Sequence, residues 1–424
     1  MVFHQTPDFE AWESLMLRAA RQGGAGVMGC LLRHWQHSAP RQVILCSHGH
    51  RMSSRGLRSK ELLTTLGRVP FSRSLYQCDQ CHQGRFPADE QLDVVQTTYS
   101  AGVRRLMARA GSQSHFEQAA EDLLCYAGIR VEAREIERVA EEVGHEVERW
   151  LSEQQDQIVH RSGLPPADKP SIPKLYVSFD GTGVPMRKSE LLGRKGKQPD
   201  GSARTREVKL GCVFTQVGLD KEGNPMRDPD STTYVGAIES SGLFGWRIYA
   251  EALRRGLERA KEVIVLTDGA RYNRSIAQMH FPYAVHIVDL YHAFEHLNLI
   301  AQTIWGKEAK VPKSWKDLLA EGNIARLVSK AGQHLPSSTA AKKVFSKQLG
   351  YFENNAAQMC YANYRQKKYF VGSGVVEAGC RTVIGERLKQ SGMHWSVGGA
   401  NAIIALRCCI LSGRFEDFWA SRSS

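Results

Sequence analysis

A chain of 424 residues is longer than one ordinary hydrophobic core fills, so two or three domains are expected. Its 42% hydrophobic and 8% aromatic content exclude a disordered chain, and a mean hydropathy of −0.36 with no apolar run near ~20 residues excludes a membrane-spanning helix. The net charge of +12 favours a polyanionic partner, nucleic acid before any other, over a merely solvated basic surface.

Residues 1–40 read as an N-terminal helical segment. An amphipathic helix covers 8–22, Gly23, Gly24 and Gly26 interrupt it, and a second short helix runs to Trp35. Residues 41–95 read as short strands and turns around Cys78-Asp79-Gln80-Cys81, which has the spacing of a metal knuckle. Cys46 and His48, from Cys46-Ser47-His48-Gly49-His50, complete a candidate zinc ribbon with Cys78 and Cys81; reduced thiols in a turn are the alternative. The other seven cysteines, Cys30, Cys125, Cys212, Cys360, Cys380, Cys408 and Cys409, read as reduced core thiols. Met1–Glu10 has no apolar core like that of a signal peptide, so the expected location is the cytoplasm, or the nucleoid for a DNA binder.

Residues 96–161 return to helix, with apolar positions at Leu106, Phe116, Ala120, Leu123, Leu124, Ile136 and Val139. Ser114–Val143 resembles a helix-turn-helix with Gly128 at its turn, although Glu132, Glu135, Glu137, Glu141 and Glu142 would repel phosphate. A structural or dimerising helix pair is the other reading. Four prolines in Ser162–Lys174 mark a linker.

Beyond the linker the pattern becomes a mixed α/β core over 175–292. Strands are expected at Leu175–Phe179, ending at Asp180, then at Lys209–Val217 and Thr232–Ile238. A helix follows over Phe244–Ala260, and a strand over Val263–Thr267 ends at Asp268. A short helix, Arg271–His280, and a strand, Ala284–Val288, end at Asp289. Residues 293–366 are helical, and 367–424 hold a last helix that starts at Gly372-Ser373-Gly374 and contains Glu377.

Asp180 and Asp268 each close a buried strand at an Asp-Gly step, where sheets bind ligands. Singly, each is an ordinary turn. On neighbouring strands ~4.8 Å apart, their carboxylates would share a cation, and Mg²⁺ suits hard oxygen donors. Glu377, beside a glycine turn, is preferred as third acid to Glu386, which falls on the opposite helix face with Lys389 as its neighbour. Arg381 shares the Glu377 face at i+4. Asp289 is a rival second acid with His292 at i+3, or else an N-cap with a structural histidine.

Arg187–Lys209 carries eight basic residues, Arg187, Lys188, Arg194, Lys195, Lys197, Arg204, Arg206 and Lys209, against three acidic ones, and reads as a contact to the DNA backbone. Trp395 is read as a residue that stacks on an unpaired base, or else as packing.

The segments FDGTGVPM (179–186), GRKGKQPDGSARTREVKLG (193–211), LTDGARYN (266–273), VDLYHAFEHL (288–297) and VGSGVVEAGCRTVIGERLKQSGMHWS (371–396) resemble bacterial insertion-sequence transposases of the Kra type, in the Mutator-like group. That resemblance implies an RNase H-like mixed sheet with a helical insertion over 293–366, catalytic acids at Asp180, Asp268 and Glu377, and an Asp-x-x-His pair at Asp289 and His292. It implies two Mg²⁺ or Mn²⁺ ions, transposon terminal inverted repeats and target DNA as partners, and a homodimer or higher assembly at synapsis. It also implies a cysteine pair ahead of the segment Phe86-Pro87-Ala88-Asp89-Glu90. The competing readings are a structure-selective nuclease or resolvase on the same fold, and a DNA-binding protein that has lost catalysis.

Overall fold

A computed structural model of the chain describes residues 8–38, 43–160, 170–196, 198 and 201–422. It divides into two compact units, 1–143 and 144–424.

The first unit opens with α1 (Phe9–Ser38), one unbroken helix. The interruption expected at the glycines does not occur. Gly24 lies against Leu66 and Gly29 against Val69, so these two glycines let the helix approach the sheet beside it. That sheet is a long hairpin, β1 (Met52–Thr64) and β2 (Gly67–Cys78), with the short β3 (Gly84–Arg85) at its edge, where short strands were expected. Its turn at Gly67 takes φ 122°, which favours glycine. α2 (Pro87–Gln91) brings Asp89 into the interior, where Lys60 and Arg73 hold it at 3.0 and 3.1 Å. α3 (Ala101–Gln113) and α4 (Phe116–Ala127) follow, and Gly128 at φ 63° ends α4 with a left-handed cap. Val103, Met107, Ala119, Leu123, Ile136, Val139 and Ala140 are buried here; Leu124, expected inside, is 43% exposed. α5 (Ala133–Val159) runs across the division between the units.

The second unit is built on a mixed sheet. Its strands are β4 (Ile172–Pro185), β5 (Thr205–Leu219), β6 (Pro225–Arg227), β7 (Thr233–Ala237), β8 (Ala260–Thr267) and β9 (Val285–Val288). The order is β6-β5-β4-β8-β9, with β7 also paired to β5. β4, β5 and β7 are antiparallel; β8 and β9 add in parallel beyond β4. β4 begins at Ile172, inside the expected linker, whose residues 162–169 lie outside the described residues.

Helices cover both faces. α6 (Ser241–Arg254) and α7 (Arg271–His280) supply Phe244, Ile248, Ile276 and Ala277 to a core shared with Leu175, Val177 and Phe179. The other face carries α8 (Leu290–Trp305), α9 (Lys313–Glu321), α10 (Ile324–Gly332), α11 (Thr339–Asn355) and α12 (Tyr361–Gln366). Leu297, Trp315, Leu319, Leu327, Phe345 and Phe352 join Tyr176, Phe214 and Ile264 in one core, so these helices pack as part of the sheet's own interior.

The last helix is not uniform. α13 (Gly374–Gly379) passes into a π-helical stretch, Cys380–Gly385, before α14 (Glu386–Leu388). α15 (Val397–Leu411) and α16 (Phe415–Ser421) complete the unit. All ten thiols are free; Cys30, Cys125 and Cys360 are exposed, contrary to the expectation of core thiols, because each sits on the solvent side of its local structure. No helix among the described residues is long and apolar enough to cross a membrane.

A Cβ added at Gly144 would lie 2.4–2.8 Å from backbone atoms of Ala402. Backbone cannot step aside as a side chain can, so Gly144→Ala is expected to destabilise the protein by ~1–3 kcal/mol, read as a lowered thermal midpoint. An unchanged midpoint would show that α5 and α15 are not in close contact there.

Candidate functional site

Two groups of chemically reactive side chains stand out, one in each unit. The first is built by the centre of the large sheet. β4 and β8 pair in parallel with Ser178 opposite Leu266, and two residues further along each stand Asp180 and Asp268. The expectation that the first strand ends at Asp180 needs correction. β4 continues to Pro185 on β5, with Asp180 opposite Leu210. What stops near Asp180 is its pairing with β8, because β8 ends at Thr267 and Gly269 turns the chain away at φ 82°. The carboxyl of Asp180 therefore sits where β4 loses a neighbour.

Burial pushes the Asp180 carboxyl up to about 6; the Gly181 N–H, donating at 2.6 Å, opposes this, and the charges of Asp268 and Glu377 add to the rise. His292 faces the same carboxylate and favours its charge. Asp268 accepts through Oδ1 from Ala270 N–H at 2.8 Å and Asn273 Nδ2 at 2.7 Å. The Tyr351 hydroxyl donates to its backbone carbonyl at 2.9 Å, and a Cβ at Gly269 would meet Tyr351 and Asn355 at 3.0–3.2 Å, so α11 packs hard against this loop.

Glu377 lies in the first turn of α13, where the Ser373 hydroxyl donates to its Oε1 at 2.7 Å. Asp289 is fully buried and serves as the N-cap of α8, accepting from His292 N–H at 2.6 Å. Its other oxygen accepts from Ser373 N–H. Asp289 thereby ties the start of α8 to the turn ahead of Glu377. The His292 ring lies 3.3 Å from Glu295 and edge-on to His296, which stacks on Tyr351 at 3.6 Å.

Among the described residues, ligand atoms mutually within 4.8 Å occur at the cysteine and histidine group below and not among Asp180, Asp268 and Glu377. Lys389 also reaches this region: its ammonium donates to Thr182, on the same face of β4 as Asp180. Glu386 and Lys389 do not pair as the helix spacing suggested. Glu386 lies 4.0 Å from Arg407, and α14 ends at Leu388, so Lys389 leaves the helical course on which that spacing was reckoned. Arg381 lies in that stretch and is exposed. Glu207 and Tyr272, which sequence reasoning passed over, lie against Gly181 beside Asp180, with the Tyr272 hydroxyl 3.4 Å from Glu207.

The basic segment divides. Arg187, Lys188, Arg194, Lys195 and Arg204 are exposed and Arg206 is half-buried. Lys197 lies outside the described residues. Lys209, expected at the surface, is 8% exposed on β5 with its ammonium 2.6 Å from Glu207, so it is a partner within the sheet and not a surface cation. Trp395 also needs correction as a base-stacking residue. It is 6% exposed, donates from Nε1 to the Leu388 carbonyl at 3.1 Å and has the Arg387 guanidinium over its ring, so neither face is open to a base.

In the first unit, Cys46, His50, Cys78 and Cys81 bring their ligand atoms within 4.8 Å of one another. The histidine is His50 and not His48. Cys46 N–H donates to the His50 carbonyl at 2.9 Å, a tight turn that swings His50 back to 3.8 Å from Cys78 Sγ; His48, at the tip, turns its ring toward Ser47. Three sulfurs and one imidazole suit tetrahedral Zn²⁺. Of the helix-turn-helix candidate, Arg138 pairs with Glu135 and Glu142 at 2.9 and 2.7 Å, so its charge is balanced on α5 itself.

No protein-family model and no curated protein matches the chain. Among solved structures, the Drosophila P element transposase strand transfer complex is similar at 11% identity and a TM-score of 0.24, over 80% of this chain and 84% of that one. A TM-score so low fixes neither fold nor activity.

Two outcomes are expected. His50→Ala should lose bound zinc, measured as metal per chain, while His48→Ala retains it; equal loss would count against the assignment. The second concerns Asp180. Its carboxyl rises from an ordinary 3.8 to about 6 on folding, so the folded chain binds the extra proton between those values and loses stability as pH rises through them. In chelator at pH ~7.5, Asp180→Asn should therefore unfold ~2–3 kcal/mol less easily, with no gain near pH ~3.5. A stabilisation independent of pH would show that the carboxylate is not the strained group.

Proposed function

We propose that the chain is a DNA transposase of the DDE type, in which Asp180, Asp268 and Glu377 on an RNase H-like core hold divalent cations. It would cut the phosphodiester at a transposon end and join the freed 3′-OH to target DNA. The observation that carries this reading is the placement of Asp180 and Asp268 at matched positions past the paired part of two parallel strands, with Glu377 near enough to add to the repulsion felt by Asp180.

The strand order supports the RNase H-like part of the reading. Three antiparallel strands, β4, β5 and β7, come first, and β8 and β9 add in parallel on the other edge of β4. The assignment to the Kra type rests on the sequence segments quoted above.

The donor set fits a hard cation. Hard carboxylate oxygens suit Mg²⁺ or Mn²⁺. The resemblance implies two such ions, which would supply positive charge to the attacking and leaving oxygens. The chain's own residues do the rest. Asp289 and Ser373 hold Glu377 in place, and Tyr351, Asn355 and Asn273 hold the loop of Asp268. Arg187, Lys188, Arg194, Lys195 and Arg204 offer exposed charge for the DNA backbone. No covalent bond between protein and DNA is needed. The partners are the terminal inverted repeats and target DNA, bridged by at least a dimer. In the first unit, Cys46, His50, Cys78 and Cys81 hold a structural Zn²⁺.

The test is cleavage and strand transfer on a duplex carrying the element's own end. Asp180→Asn, Asp268→Asn and Glu377→Gln should each bind the duplex as the parent does and cut at least a thousand-fold more slowly. A variant that cuts at the parent's rate removes its residue from the site; cutting without joining by the parent points to a nuclease.

A further inference from the structure

We propose that the open face of α11, together with the start of α7, is a track for the phosphate backbone of duplex DNA leading away from Asp268. α11 is tied to the Asp268 loop at its C-terminal end. Tyr351 donates to the Asp268 carbonyl at 2.9 Å, and the Asn355 amide to that of Gly269 at 3.4 Å. Arg274 of α7 closes the corner by donating to the Asn354 carbonyl and to Asn355 Oδ1. A position along α11 is therefore a distance from that acid. At ~1.5 Å per residue, Lys347 stands ~6 Å and Lys343 ~12 Å back from Tyr351 along the axis.

At ~100° per residue, Lys343, Lys347, Gly350 and Asn354 fall within ~60° of one another. They lie opposite the face on which Phe345, Gln348, Phe352 and Asn355 are buried. Lys343, Lys347 and Asn354 are exposed, and neither lysine makes an ion pair with a described residue. A Cβ at Gly350 would meet only the Asn354 amide, at 3.9 Å, so a second backbone can come close to the helix between the lysines and the loop. Arg271, exposed in the first turn of α7 and three residues past Asp268, carries the row on toward the acids, and it too has no ion pair with a described residue.

These cations work against the helices that carry them. Positive charge near a helix N-terminus opposes the helix dipole, and like charges at i and i+4 repel. Lys342 and Lys343 stand in the first two turns of α11, Lys347 follows Lys343 at i+4, and Arg271 opens α7. Neither helix has an acid in its first turn, and Glu353, the single acid of α11, comes six residues after Lys347. The excess extends over Lys307–Lys347, where nine basic residues stand against three acidic ones, half of the chain's net charge of +12. Charges that a helix would be steadier without call for a ligand of opposite sign. One strand of a duplex carries a phosphate every ~3.4 Å of axis, so the ~6 Å step from Lys343 to Lys347 gives each lysine a phosphate of its own. That the polyanion is DNA with its reacting bond at Asp268 rests on the function proposed above, so binding is measured apart from cutting.

The full-length protein, without divalent ions, is titrated with two labelled duplexes, one carrying the element's own end and one of unrelated sequence standing for target. Lys343→Ala with Lys347→Ala and Arg271→Ala should weaken binding at least ~10-fold and lower the slope of log affinity on log salt by ~2–3, since each neutralised phosphate contributes ~0.9. The duplex that loses more is the one on the track. Lys307→Ala with Lys313→Ala and Lys316→Ala removes the same charge around α9 and should change that slope by less than ~1. Lys343→Arg with Lys347→Arg should bind as the parent does. Lys343→Ala with Lys347→Ala should unfold at the parent's temperature or above it. A photo-cross-linking residue in place of Ser346 should attach within about five base pairs of the cut bond, at ~3.4 Å per pair. A parent that binds through these residues and never cuts sinks the transposase reading and leaves the track standing. Unaltered affinity and slope, an equal loss from the α9 variant, a lowered unfolding temperature, or attachment far from the bond the parent cuts overturns the track.

Discussion

The parallel register of β4 against β8 is the constraint on which the second unit depends. Those strands are covered on both faces, so alternate residues are committed to two different cores: Leu175, Val177 and Phe179 to one, Tyr176 to the other. A slip of one residue would exchange every one of them. The same register fixes where Asp180 and Asp268 stand relative to each other. Their juxtaposition is thus secured by buried apolar surface and not by any attraction between them, which is how two like charges come to be neighbours at all.

Around that pair the chain is braced from a distance. Asp289, fully buried, ties the start of α8 to the turn ahead of Glu377 with its two oxygens, although it lies far from Glu377 in sequence. Tyr351 and Asn355 do the same for the Asp268 loop from the end of α11. The helices between Asp268 and Glu377 therefore do more than lengthen the chain. They carry the side chains that hold two of the acids still, which is what a site relying on position needs.

Much of this was legible in the sequence, and the reasons are local. Apolar runs ending in Asp-Gly located β4 and β8, and α7 fell where its spacing put it, at Arg271–His280. The failures were those where tertiary contact overrules local preference. Gly23, Gly24 and Gly26 read as a break, yet Gly24 lies inside a helix because a neighbouring leucine occupies the space. Trp395 looked available because it lies past the last helix, and only the folded chain brings Arg387 across its ring. Lys209 read as one more cation of a basic run, but extended β5 puts it on the same face as Glu207, two residues before it. His48 and His50 are two residues apart and chemically alike; only the turn of the knuckle tells them apart. Lys389 had no signal, since its contact with Thr182 joins residues more than two hundred positions apart.

The wide turn at Cys380–Gly385 has an implication for how this segment tolerates change. A helix that loosens there carries one residue more than regular coiling would require, and its displaced carbonyls must find other donors. Arg407, 2% exposed, answers Thr382 and Val383 from α15. Deletion of one residue from the loosened turn would draw these carbonyls back into the regular ladder and cost a buried guanidinium two of its acceptors. The surplus residue and the arginine are therefore a matched set, and neither can be lost without the other.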